Sequence, residues 1–269
     1  MKSCRYVLLD PTGNLTCLVL DPVASSDRPE ITRRLMDQCE QVAYLLPATV
    51  PQAWARIHLM GGEFCGNAAM ASACFLADQK HHPPLEQRIS VPIEMSGAEG
   101  IVICDALRHS EDWSGSVSMP AITSVFSFPL SGYPLTAVRM EGILHLVLPV
   151  SEPLSSAEAE ALLTLATADP RLQAEEAIGL LQWDDSVHYM RPLVWVKESH
   201  TRVWETGCGS GSASIGAWMA FCQKKNVVDY PVRQPGGTIQ VSAVWADDAV
   251  TSVRISGHVR LGSINRLTF

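Results

Sequence analysis

The chain has 269 residues and a formal charge of −8, with 47% hydrophobic and 18% charged residues. That composition excludes a disordered chain, and the acidic balance argues against a nucleic-acid partner, whose footprint is a basic stripe. No apolar run approaches the roughly 20 residues of a membrane span, and residues 7–9 are too short an apolar stretch for a signal peptide, so the expected location is the cytoplasm with no membrane partner.

In chain order, residues 5–9 and 15–20 read as strands around a turn at Pro11-Thr12-Gly13-Asn14. Residues 29–46 read as one helix, with Pro29 in its first turn and Ile31, Leu35, Met36, Cys39, Val42 and Ala43 at helical spacing. A strand at 54–60 precedes Gly61-Gly62-Glu63-Phe64-Cys65-Gly66-Asn67 and a helix of small residues, 68–77. Strands follow at 88–95, 100–106 and 115–119. The stretch 120–134 is poor in charge and rich in Ser and Pro, which places a domain boundary near residue 124.

Beyond it, strands are expected at 136–140 and 143–148. A helix starts after Ser155 or Ser156, with Glu158 supplying an acidic first turn. A second short helix is expected at 172–181, and a strand at 193–197. Then come Trp204-Glu205-Thr206-Gly207-Cys208-Gly209-Ser210-Gly211 and a second small-residue helix, 212–222. A turn at Pro235-Gly236-Gly237 and strands at 238–244, 250–255 and 258–261 close the chain.

Each half therefore holds several strands and a glycine-flanked cysteine that opens a small-residue helix. The two cysteines lie 143 positions apart (65 to 208), about half the chain. The expectation is an α+β protein of two pseudo-symmetric α/β halves facing each other, each a curved, mostly antiparallel sheet around a central helix. The halves are residues 1–124 with Cys65 and 125–257 with Cys208, and 258–269 forms a closing strand returned to the first half.

Eight cysteines, none in a Cys-x-x-Cys pair, are too few for a disulfide scaffold. Cys4, Cys17, Cys39, Cys74, Cys104 and Cys222 suit the role of small hydrophobes. Cys65 and Cys208 differ from these. A helix N-terminus presents amide hydrogens and partial positive charge, which hold a carboxylate and favour a thiolate. Two such cysteines could work on a carbon acid beside a bound carboxylate. One thiolate takes the Cα proton, the oriented amides steady the enolate-like charge, and the second thiol returns a proton on the opposite face. That inverts the stereocentre with no metal and no cofactor. The competing reading of the same pair is a non-catalytic redox or zinc site.

Cys65-Gly66-Asn67-Ala68 and Cys208-Gly209-Ser210-Gly211, with Gly13-Asn14, resemble the diaminopimelate epimerase superfamily of cofactor-independent, two-cysteine racemases and epimerases. Glu40-Gln41-Val42, His145, Arg191-Pro192-Leu193, Trp204-Glu205 and Gln234-Pro235-Gly236-Gly237 are similar in particular to the histidine racemases of staphylopine-type metallophore biosynthesis. The resemblance implies Cys65 and Cys208 as the two bases. It implies amides of Gly66, Asn67, Gly209 and Ser210 on the substrate carboxylate, and Asn14, Gln41 and His145 around it. Glu198 is the expected partner of the substrate ammonium. Diaminopimelate epimerases carry Glu-Arg-Gly before the second cysteine, the Arg gripping a distal carboxylate. Here the stretch is Glu198-Ser199-His200-Thr201, so a one-headed amino acid is preferred and a diamino-acid epimerase is the alternative. The partner is a small-molecule amino acid, and a homodimer is compatible with the reading.

Overall fold

In the computed structural model, which describes residues 2–269, the chain is rich in sheet, with sixteen strands and four α-helices among the described residues. It divides into two compact units, Met1–Ser118 with Ser256–Phe269, and Met119–Ile255. The first change of unit thus falls between residues 118 and 119 rather than near 124, and the second between 255 and 256 rather than after 257.

The first unit holds β1 (Ser3–Pro11), β2 (Thr16–Val19), α1 (Arg28–Leu35), β3 (Gln41–Leu46), β4 (Arg56–Leu59), α2 (Gly66–His81), β5 (Arg88–Met95), β6 (Ile101–Arg108) and β7 (Trp113–Ser118). Its strands lie side by side in that order. Neighbours are antiparallel except β2–β3 and β4–β5, which are parallel and joined through α1 and α2. Such crossovers need a long connection, which a helix supplies.

The second unit holds β8 (Ile122–Leu130), β9 (Tyr133–Met140), β10 (Ile143–Pro149), α3 (Ser156–Ala168), β11 (Ala177–Asp184), β12 (Tyr189–Val196), β13 (Thr201–Trp204), α4 (Gly209–Gln223), β14 (Val227–Gln234), β15 (Gly237–Ala246) and the start of β16 (Ala249–Thr268). Here β10–β11 and β12–β14 are the parallel pairs, bridged by α3 and by the segment carrying β13 and α4. The same alternation of hairpin and helical crossover thus runs through both units. The later part of β16 pairs antiparallel with β1, from Pro11 opposite Val259 to Ser3 opposite Thr268.

Three expectations are corrected. The helix read over 29–46 ends at Leu35, and residues 41–46 are strand β3. The helix read over 172–181 is a single 3₁₀ turn followed by β11. Both errors have one cause: a short apolar run buried on both faces has no period to separate strand from helix. Positions 41–44 and 177–183 are buried without a break. The Ser- and Pro-rich stretch, for which no element is expected, is largely strand β8. It lies at the edge of the second unit's ladder, where Pro129 is tolerated, and Phe126 and Phe128 face the core.

α2 and α4 are sheathed by sheet rather than amphipathic. Residues 66–77 of α2 are all buried. Small side chains allow the close approach. A methyl on Gly115 of β7 would lie 2.8 Å from Met70 Cβ, and one on Gly216 of α4 would lie 2.5 Å from Val241 Cγ2. α3 starts where its sequence placed it, with Ser155 rather than Ser156 as N-cap, and Glu158 returns the bond in a capping box.

Candidate active site

Each glycine-flanked cysteine is the N-cap of its unit's buried helix. Cys65 has an extended backbone (φ −135°, ψ 113°) and precedes α2, and Cys208 (φ −99°, ψ 105°) precedes α4. Gly66 and Asn67, and Gly209 and Ser210, are thereby the first-turn residues, whose amide hydrogens have no partner within the helix. Among the described residues, none of the eight cysteines is joined in a disulfide.

Around Cys65, the loop is tied to the end of β5. Ser96 Oγ donates to the Glu63 carbonyl (2.9 Å) and accepts from the Leu59 amide (2.9 Å). Gly97 has φ +67°, and a methyl there would land on the Phe64 backbone nitrogen, so only glycine fits. The start of β3 meets the end of β4 from which this loop departs, since Met60 N donates to Val42 O (2.9 Å). Gln41, 8% exposed, begins β3 and joins Asn14 and Glu40 in a chain. Gln41 Nε2 donates to Asn14 Oδ1 (2.6 Å) and to Thr16 Oγ1 (2.8 Å), while Asn14 Nδ2 donates to Glu40 Oε2 (2.7 Å). The expected Asn14 and Gln41 are thus in one network, with Glu40 as its carboxylate.

Around Cys208, which is 2% exposed, the polar groups are closer. Gly211 N donates to Sγ (3.2 Å), and Ser210 Oγ lies 3.5 Å from Sγ. Burial pushes the Cys208 thiol well above its usual range. The Glu205 carboxylate adds to this, and the Ser210 hydroxyl and Gly211 amide pull it back down. The helix N-terminus alone would have favoured a thiolate; here desolvation and a neighbouring carboxylate outweigh it.

His145, fully buried on β10, holds Ser210 from behind, with Nε2 2.9 Å from Ser210 Oγ. Desolvation lowers its pKa to about 3, so the imidazole is neutral at working pH. Its Nδ1 has no hydrogen-bond partner and lies where a Gly179 side chain would stand. An unpaired acceptor costs less than an unpaired N–H. With its proton on Nε2, the ring donates to Ser210 and leaves the Ser210 proton for the sulfur.

One expected residue is not brought to Cys208. Glu198 is exposed in the turn between β12 and β13, at the opposite end of that ladder from Cys208. The carboxylate beside Cys208 is Glu205. Trp204, four residues before Cys208, packs on the second unit's core with the Arg191 guanidinium over its ring (5.1 Å). Sequence reasoning named Gln234 only within a motif and gave it no role. Its signal is the period of two in β14, which puts Gln234 on the buried face with Val232. Among the described residues, no three His, Cys, Asp or Glu side chains gather as a metal site. No helix there is long and apolar enough to cross a membrane.

The family model for the histidine racemase CntK N-terminal domain matches residues 3–265. The chain belongs to this histidine racemase family. It is 27% identical over 261 residues to a histidine racemase of Staphylococcus aureus, covering 93% of this chain and 92% of that one. A histidine racemase of Fusobacterium nucleatum is 25% identical over 242 residues, 87% of each. Among solved structures, a predicted epimerase from Pseudomonas aeruginosa aligns with TM-score 0.69 at 18% identity, covering 99% of both chains. A probable proline racemase from Agrobacterium radiobacter aligns with TM-score 0.68 at 16% identity, covering 99% of this chain and 93% of that one. These likenesses give the fold, that of racemases and epimerases. The protein is an isomerase, an amino-acid racemase by family.

Proposed function

We propose that this racemase interconverts L- and D-histidine without a cofactor, with Cys65 and Cys208 as a thiolate/thiol pair acting on opposite faces of Cα. The observation that carries the reading is the matched setting of the two sulfurs, each the N-cap of a buried small-residue helix in a chain of the histidine racemase family.

The substrate carboxylate lies on first-turn amides of Gly66, Asn67, Gly209 and Ser210, where the helix dipoles favour negative charge. Asn14 and Gln41, braced with Glu40, complete the polar lining. One sulfur, as thiolate, takes the Cα proton, and the electron pair delocalises into the carboxylate. The other sulfur, as thiol, delivers its proton to the opposite face of the carbanion. The enzyme ends with the proton exchanged between sulfurs and the substrate inverted, so atoms and charge balance with no redox partner. Burial and Glu205 make Cys208 the protonated member in the empty site. Once it has given up that proton, the Ser210 hydroxyl and Gly211 amide serve the thiolate. Each protonation state of Cys208 therefore has a partner. By the family resemblance, the D-histidine would serve metallophore biosynthesis.

In D₂O, L-histidine and D-histidine should each gain deuterium at Cα and converge on a racemic mixture, read by mass and circular dichroism. Hydroxylamine, which traps pyridoxal phosphate, and EDTA should leave the rate unchanged. Racemisation of diaminopimelate in preference to histidine, or no exchange from any amino acid in a panel, would overturn the proposal.

A further inference from the structure

We infer that Gln234 is a positioning residue for Cys208, an assignment that rests on the catalytic reading of that cysteine. Gln234 ends β14, is 4% exposed, and lies 26 residues beyond the cysteine in sequence. Its Oε1 accepts from the Cys208 amide (2.6 Å). Its Nε2 donates to Ser212 Oγ (2.9 Å), and Ser212 Oγ donates to the Cys208 carbonyl (2.8 Å). The three bonds form a closed ring through one glutamine amide, one serine hydroxyl and both backbone polar groups of Cys208.

Two residues further on, Gly236 N donates to Thr206 O (2.7 Å), so the β14–β15 turn grips the cysteine loop at residues 206 and 208 together. The ring fixes φ and ψ of Cys208 and hence the direction of its Cα–Cβ bond. That direction keeps Sγ against Gly211 N and beside Ser210 Oγ. A sulfur that must take a proton from carbon and return one tolerates little misplacement, because the reacting atoms need a near-attack geometry. Gln234 touches neither the sulfur nor the α-carbon; it acts by holding the backbone that aims the sulfur. A buried amide is costly unless both its ends are satisfied, and here both are.

The test pairs Gln234→Met, similar in length but without the amide, with Ser212→Ala, which opens the ring elsewhere and keeps a good helix former in α4. Iodoacetamide labelling with peptide mapping reads each cysteine separately and needs no substrate. In Gln234→Met the Cys208 amide must find water, the loop loosens, and Cys208 should label at least about 5-fold faster while Cys65 stays within about 2-fold. For histidine, kcat should fall by about 30-fold or more with KM within about 3-fold, because orientation rather than binding is lost. Ser212→Ala should shift both readouts the same way, by less, and it decides the matter if Gln234→Met does not fold. Wild-type labelling of Cys208 together with wild-type kcat, in either folded variant, overturns the assignment. Cys208→Ser run alongside separates the two claims. Full racemisation there defeats the catalytic reading, while the labelling result still judges whether Gln234 holds the loop.

Discussion

The Cys65 and Cys208 loops are held at the same point by different chemistry. In each, the carbonyl two residues before the cysteine accepts a hydrogen bond from the end of the strand that follows the cysteine's helix: Glu63 O from Ser96 Oγ, and Thr206 O from Gly236 N. Beyond that shared tether they diverge. Cys65 is partly exposed. Cys208 is buried, caps α4 through Gly211 N, and has its amide on Gln234. Under the proposed mechanism, in which the two sulfurs differ by one proton at the start of each turnover, similar frames thus carry unequal surroundings.

The comparison can be broken most directly at the sulfurs. Cys65→Ser and Cys208→Ser should each lower α-proton exchange with histidine by about 10³-fold or more, since a hydroxyl at neutral pH is a poor base. Full activity in one of them would mean that the two loops are not partners. Next in size is the tether of the first loop. Gly97→Ala combines a left-handed backbone with a clash against the Phe64 nitrogen, and should cost about 3 kcal/mol in chemical denaturation. Gly216→Ala meets only the Val241 side chain, which can turn, and should cost about 1–2 kcal/mol. A reversed order would show that the second unit is the stiffer.

His145 sharpens the contrast through pH. Its folded pKa, about 3, lies below the unfolded value, so the unfolded chain binds a proton first as pH falls. Stability from this group is complete above about pH 6.5 and declines below it, by about 2 kcal/mol at pH 5. His145→Gln should flatten the dependence of melting temperature on pH over that window. The smallest effect concerns labelling. Iodoacetamide should reach Cys65 about 10-fold faster than Cys208, and Glu205→Gln should narrow the gap by removing a charge that disfavours the Cys208 thiolate. Equal rates in the wild type would erase the asymmetry.

The parts of this arrangement legible in sequence were those with a local signature. Glycine beside Cys65 and Cys208 and small residues after them announced the helix starts, and the serines at 155 and 156 with Glu158 announced α3. Burial on both faces hid β3 and β11, because an unbroken apolar run carries no period. The choice of Glu198 rested on its distance along the chain from Cys208, which the fold does not preserve in space. Once Val196 pairs with Thr201, the β12–β13 hairpin carries residue 198 away from the cysteine and leaves Glu205 beside it. Gln234 was visible as a motif, but its bonds join residues 26 and 22 positions apart, which no local pattern reports.

The division of β16 between the two units bears on the order in which the chain can fold as it leaves the ribosome. Units ordinarily close in the order they are synthesised. Here the later-starting unit, Met119–Ile255, is continuous, whereas the first lacks the second partner of β1, beside β2, until Ser256–Phe269 has been made. The Cys208 half can therefore settle first, with the Cys65 half waiting on residues that follow it in sequence.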